Sequence, residues 1–407
     1  MEKKIEHYDV VIIGGGSGGL TAGIYCGRAR LKTLIIEKAL VGGLATYTNE
    51  IENYPGFPEG ATGLGLMELF HKQAKKFGVD FKLTDVRSVD FSGEEKVVET
   101  FRNKYIAKAV IVGTGGKPRL TGAKNEGDYL YDKGISFCAT CDAAANTDKT
   151  VMVIGSGDAA IEEGMFLTKF ASKVLVSIMH EEGKMDCNEI AKAQAMSNPK
   201  MEFLWNTVTD SFEGDGHLDT VVLKNVKTGE LMPTKVDTCF LFIGYLPNTE
   251  IFKDILDMNR AGYLLTNEKM ETNVRGVFAV GDVRDKFLKQ VATAVGDGAI
   301  AGYAAEKFIA EEEAYEKQIL NEGKPTIAYI YNAADAASRE LLTVVEGFEK
   351  EHENTLSVAR VDIYKSDGLA KRIGVTSFPC VAYYNNSKLV KVLDTSITAE
   401  TLAQLIK

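Results

Sequence analysis

Residues 8–19 read YDVVIIGGGSGG: an apolar strand, Tyr8–Ile13, runs into the glycines Gly14–Gly19 and then into an apolar stretch from Leu20. Gly14, Gly16 and Gly19 stand in the G-x-G-x-x-G register, with Ser17 and Gly18 between the last two. Glycines so placed permit a tight turn and a close backbone approach. A pyrophosphate can then rest on the helix start, where free N–H groups and the positive dipole end lie. The next strand, LKTLIIE, ends in Glu37, where an acid accepts hydrogen bonds from ribose hydroxyls. Strand, turn, helix and acid together predict a dinucleotide-binding α/β unit.

A second unit follows. Thr150–Ile154 leads into Gly155-Ser-Gly157-Asp158-Ala159-Ala160 and a helix from Ile161, a G-x-G-x-x-A turn whose small Ala160 suits close helix–strand packing. Two such units imply two nucleotide-binding domains built on parallel sheets. The chain has 407 residues, too many for one core. Its 45% hydrophobic and 26% charged content is that of an ordinary globular protein. A net charge of −10 argues against nucleic acid as a partner, because phosphate neutralisation needs a basic face. Met1–Val10 has no apolar leader and no later stretch has membrane-spanning length, so a cytoplasmic protein with no membrane partner is expected.

The texture changes at Ala310–Lys324, a charged, helix-prone run followed by Pro325, which reads as a domain end and linker. Residues 326–407 then read βαβαββα. Strands are expected at Thr326–Tyr331, Leu356–Asp362, Cys380–Tyr384 and Lys388–Leu393. A long helix should reach about Glu351, with a short helix near Leu369–Ile373 and a last one at the end.

Of six cysteines, only Cys138 and Cys141 are close together, in Cys138-Ala-Thr-Cys141-Asp142. A lone C-x-x-C in a reducing compartment is catalytic or metal-binding rather than structural. A zinc site needs a second ligand pair, and neither Cys187, Cys239 nor any of the five histidines is spaced to supply one. The spacing closes a small disulfide ring and can put the first thiol at a helix start. The dipole there favours the thiolate that attacks a partner's disulfide. Asp142 is placed to shuttle the proton, although an acid there can also be a plain cap. Cys26 and Cys239 sit in apolar stretches and are expected in the core; Cys187 is assigned no role.

The stretches VIIGGGSGG, GGLATYTNEIENYPGF, IVGTGGKPR, FCATCD, LFIGYLPNT and VFAVGDVRDK, in this order over about residues 7–310, resemble the successive signatures of the low-molecular-weight thioredoxin reductases. The resemblance implies an FAD-dependent disulfide reductase and a homodimer. It implies that Gly281-Asp282 hold the ribityl and pyrophosphate region of FAD. It also implies that Gly42, Gly43, Asn53, Thr114, Gly115 and the segment Lys289-Gln290-Val291 line the flavin site. Leu44 departs from the family's usual glutamine. Cys141 is assigned to the flavin face and Cys138 to exchange with the substrate disulfide. By the same resemblance, FAD binding falls to 1–117 and 247–322, and the NAD(P) site and dithiol to 118–246.

The second nucleotide site departs further. Relatives that use NADPH place His-Arg-Arg and a further Arg after the next strand. Counted from Gly155, those positions hold Ile178, Met179, His180 and Lys184 here, with Glu181 and Glu182 beside them. A carboxylate about 5 Å from a 2′-phosphate costs on the order of 3 kcal/mol at an effective dielectric of 20, less once screened. NADH is therefore expected over NADPH. If the glycines serve only the fold, ferredoxin as donor is the other enzyme reading. A reading of another class is a flavoprotein scaffold that recruits partners through its C-terminal domain.

That domain, residues 324–407, resembles thioredoxin, with Ser377-Phe378-Pro379 matching its cis-proline loop. Where thioredoxin carries C-x-x-C this chain reads Asn332-Ala-Ala-Asp-Ala-Ala-Ser338, so the domain should be redox-silent as a dithiol. The expected partner is thioredoxin or a similar small redox protein.

Overall fold

A computed structural model describes residues 3–47, 51, 53–130, 132–320, 323–394 and 396–406. Thr48, Asn49, Glu50 and Glu52, within the 42–57 signature, and Glu322 at the expected domain boundary lie outside the described residues. The chain divides into two compact units, Met1–Tyr303 and Ala304–Lys407.

In the first unit Lys4–Ile13 lies at the centre of a seven-stranded sheet, parallel to Thr33–Glu37 on one side and to Asn103–Val112 on the other. Val277–Ala279 pairs in parallel with the far half of Asn103–Val112. The carboxyl-terminal halves of these strands are apolar runs because helices or loops cover both faces there, and Val10, Val11, Ile12, Leu34 and Ile35 are fully buried. A second sheet is wholly parallel, in the order Met201–Trp205, Lys173–Ile178, Thr150–Ile154, Thr238–Leu241, Ile135–Ser136. Each glycine turn therefore lies at the carboxyl end of a parallel strand, where open α/β sheets bind ligands.

The helices behind the turns begin earlier than the sequence suggests, at Ser17 instead of Leu20 and at Asp158 instead of Ile161. The reason is the same in both. The first helical bonds run from Leu20 N to Gly16 O (2.8 Å) and from Ile161 N to Gly157 O (3.1 Å). Glycines and small residues thus fill the opening turn, where no apolar periodicity marks a helix.

The second unit forms a four-stranded sheet in the order Ser357–Asp362, Thr326–Tyr331, Cys380–Asn385, Lys388–Leu393. Helices Ala336–His352, Asp367–Ile373 and Ala399–Leu405 complete the expected βαβαββα order. The Phe378-Pro379 bond is cis. The charged run, helix-prone by its sequence, is helical as far as Gln318, the end of the long helix Val291–Gln318. Tyr315 from that helix, and Ile319 just beyond it, enter the core formed with Ala328, Ile330 and Tyr384. Among the described residues no helix is long and apolar enough to cross a membrane.

Candidate active site

The first glycine turn is a cradle closed to side chains at its two ends, Gly14 and Gly19. Gly14 has φ +104°, and a Cβ there would meet Gly113 O at 2.2 Å. The helix Ser17–Arg28 starts without a side-chain cap and without an acid in its first turn, so its N–H groups face an anion seat unopposed. Glu37 is held beside the turn: Oε2 accepts from Gly15 N (2.7 Å) and Oε1 from Ala39 N (2.9 Å). Gly42 N donates to Gly15 O (2.7 Å), which brings the Gly42-Gly43 segment against Gly16.

The other stretches expected at this site are tied to further parts of the chain. Thr114 Oγ1 donates to Asn248 O (2.7 Å), and Asn248 N donates to Gly115 O (3.0 Å), which ties the 111–119 stretch to the 241–249 stretch. Asn53 Nδ2 donates to Gln290 Oε1 (3.1 Å). The Lys289 ammonium lies 3.9 Å over the Tyr263 ring, and Val291 opens the long helix. Leu44 is exposed.

Asp282 supplies the test of fit for a flavin nucleotide. Its Oδ1 is buried without a hydrogen-bond partner, and burial raises its carboxyl above the usual range. A buried acceptor of this kind is costly unless a ligand hydroxyl completes it. With the bare helix start at Ser17 and the side-chain-free turn, the residues fit FAD.

Sequence reasoning missed the group that holds Asp282 in place. Asp297, buried on the long helix, accepts from Gly281 N (2.9 Å), Arg284 Nη1 (2.8 Å) and Lys286 Nζ (2.7 Å). The only trace in the sequence is an acid between two glycines, Gly296-Asp297-Gly298.

Cys138 and Cys141 are joined in a disulfide, with Cα atoms 5.3 Å apart. Cys138 is the N-cap of the short helix Ala139–Asp142, as the spacing predicts. Ser136, which no sequence signal marked, connects the pair to its acid. Its Oγ donates to Asp142 Oδ2 (2.5 Å) and accepts from Cys138 N (3.2 Å). Burial raises the Asp142 carboxyl, and the Ser136 bond partly offsets this, so the group is suited to carry a proton. Asp132 is likewise raised by burial and by the nearby Asp142.

The second turn is furnished with charge. Gly155 has φ +140°, and a Cβ there would meet Phe242 O at 2.5 Å, whereas Gly157 has open space. Asp158 opens the helix Asp158–Leu167, and its Oδ1 accepts from both N and Nδ2 of Asn188 (2.7 and 2.9 Å). Ala159 follows it, and Ala160 is fully buried against the sheet. After the strand Lys173–Ile178, Met179 projects into solvent and His180 Nε2 lies 2.8 Å from Asp186 Oδ2. Glu181 pairs with Lys227 at 3.5 Å.

In the C-terminal unit Asp335 and Ser338 stand at the start of the helix Ala336–His352. Asp335 is its N-cap, accepting from Ser338 N (2.7 Å). Cys380 is buried, and burial pushes its thiol up to about 11, which keeps it neutral and unreactive near pH 7. Cys26, Cys187 and Cys239 are also buried and outside any disulfide.

Two dinucleotide turns and a C-x-x-C disulfide on parallel sheets define a nucleotide-linked disulfide oxidoreductase. The pyridine nucleotide-disulphide oxidoreductase family model matches residues 8–298, and the thioredoxin model matches 306–407. The chain is 43% identical over 308 residues to thioredoxin reductase of Peptoclostridium acidaminophilum, covering 74% of this chain and 97% of that protein. It is 42% identical over 311 residues to the Bacillus subtilis enzyme (76% and 96%). The crystal structure of thioredoxin reductase from Streptococcus pyogenes superposes with a TM-score of 0.70 at 37% identity, covering 75% of this chain and 98% of that one. The chain belongs to the thioredoxin reductase family, and it carries an additional thioredoxin domain at its C-terminal end.

Proposed function

We propose that this protein reduces the disulfide of thioredoxin or a similar small redox protein, with FAD as carrier and NADH as the preferred electron source. The observation that carries the donor assignment is the loop after Lys173–Ile178. It has no arginine before Lys200 and presents Glu181 and Glu182 where a 2′-phosphate would need cations. The glycine turn is retained, so a pyrophosphate seat remains.

What FAD supplies when bound is a two-electron reduction of the Cys138–Cys141 disulfide. The steps that follow belong to the protein. Cys138, at its helix start, attacks the partner disulfide as a thiolate, forming a mixed disulfide and releasing one partner thiolate. Asp142, held by Ser136, gives that leaving sulfur its proton. Cys141 then attacks Cys138, restores the ring and frees the second partner thiolate. In this reading residues 1–117 and 247–322 form the FAD-binding domain, 118–246 the nucleotide and dithiol domain, and 324–407 a redox-silent domain. The enzyme works as a homodimer, supported by an exposed apolar face of Tyr25, Ile300 and Tyr303 on neighbouring helices.

Stopped-flow reduction of the bound flavin by NADH and by NADPH, at equal concentration and moderate salt, tests the assignment. NADH should be faster. In Cys138→Ser the flavin should still be reduced while turnover of thioredoxin disulfide disappears. Faster reduction by NADPH would refute the donor assignment, and reduction only by ferredoxin would replace it.

A further inference from the structure

The two nucleotide units can be aligned by their own hydrogen bonds. Gly14 N donates to Ile36 O (2.8 Å), and Gly155 N donates to Ser177 O (3.3 Å). Ser177 thus corresponds to Ile36, and the next residue, Ile178, to Glu37. Ile178 is fully buried and apolar, so the second unit has no acid at the strand end where the first has its ribose acceptor.

A carboxylate returns to that place from elsewhere in the chain. In the first turn Glu37 Oε2 accepts from the second residue, Gly15 (2.7 Å). In the second turn Asp186 Oδ2 accepts from the second residue, Ser156, through its hydroxyl (2.6 Å). Asp186 N also donates to Ser156 O (2.9 Å), which fixes the loop against the turn. His180 contacts the same Oδ2, and Asp158 anchors Asn188 two residues on, so Asp186 is braced from both sides. The hydrogen bonds to the Asp186 side chain end on Oδ2, and the side chain is 59% exposed, which leaves Oδ1 open to a ligand.

We propose that Asp186 is the ribose-reading carboxylate of the second site and selects a dinucleotide whose adenosine ribose keeps a free 2′-hydroxyl. A hydroxyl can donate to Oδ1, whereas a 2′-phosphate would meet a fixed negative charge that Lys184 and His180, the cationic groups acting on Asp186, offset only in part. The assignment rests on the reading that this turn binds a nicotinamide dinucleotide. It makes Asp186, rather than Glu181 or Glu182 alone, the residue that sets the preference.

The test is calorimetric titration of the oxidised holoenzyme with NAD⁺ and with NADP⁺, which reads binding without turnover. The wild type should bind NAD⁺ the more tightly. Asp186→Asn keeps an acceptor for Ser156 and the loop in place but removes the charge. It should lower the NAD⁺ to NADP⁺ affinity ratio by roughly tenfold or more, and Asp186→Glu should restore part of it. Equal weakening of both nucleotides, or an unchanged ratio, would show Asp186 to be only a brace and overturn the inference while leaving the donor assignment standing. A wild type that binds neither nucleotide would remove the nucleotide reading itself, and the inference with it.

Discussion

Gly14 and Gly155 occupy the same corner of their units and take the same left-handed backbone, yet the turns they open are furnished differently. Around the first the chain gathers Gly15, Gly42 and Gly113, and one carboxylate, Glu37, bound to a backbone N–H. Around the second it gathers Ser156, His180 and Asp186, linked side chain to side chain, with Asp158 holding Asn188 nearby. The helix behind the first starts without charge; the helix behind the second starts with an acid. The backbone of such a turn establishes that a pyrophosphate can be seated. The side chains around it decide which nucleotide is accepted and how tightly.

Three variants would break or sharpen this contrast. The largest effect is expected from Gly14→Ala, because the new methyl collides with Gly113 O and the φ of +104° is hostile to any L side chain. The strain is on the order of 2 kcal/mol or more, and the protein should purify without flavin, read from its visible absorbance. A flavin content equal to wild type would mean that the first turn is not the cofactor's cradle.

Next in size is charge reversal beside the second turn. Glu181→Arg with Glu182→Arg should move the ratio of flavin reduction rates by tens-fold toward NADPH, measured by stopped flow at moderate salt. Flavin content should stay unchanged. No movement of the ratio would place the ribose end of the nucleotide away from these acids.

The smallest effect belongs to Gly157→Ala. The site has open space and an ordinary φ of −80°, so the fold should survive and the thermal midpoint should hold. The methyl would nonetheless stand where the backbone approaches pyrophosphate, and affinity for NAD⁺ should fall by about tenfold. Unchanged nucleotide affinity would reduce the second turn to a relic of the fold.

The order of elements and the dithiol were legible because their signals are local. A strand running into glycines, a strand-end acid such as Glu37, and two cysteines three apart each announce themselves within a short window. Asp297, Ser136 and Asp186 were not legible, since each acts across the fold. Asp297 reads in the chain as one polar residue in a glycine-rich helix, and only packing shows that it gathers two cations and a backbone N–H. Asp186 lies thirty residues beyond Ser156 on a loop with no periodic pattern, so a search for an acid at the strand end passes over it. The early helix starts were hidden for a related reason. Small residues form helix there without an apolar stripe to mark it.

Asp335 and Ser338 stand at their helix start as Cys138 and Cys141 stand at theirs, cap residue and third residue on. The segment at 138–141 changes its covalent bonding with every turnover. The segment at 335–338 is closed by a carboxylate on a backbone N–H, a bond that no thiol pool can break. The C-terminal unit therefore keeps one shape under oxidising and reducing conditions alike: it is a fixed component attached to a cycling one, and what it contributes is insulated from the redox state of its surroundings.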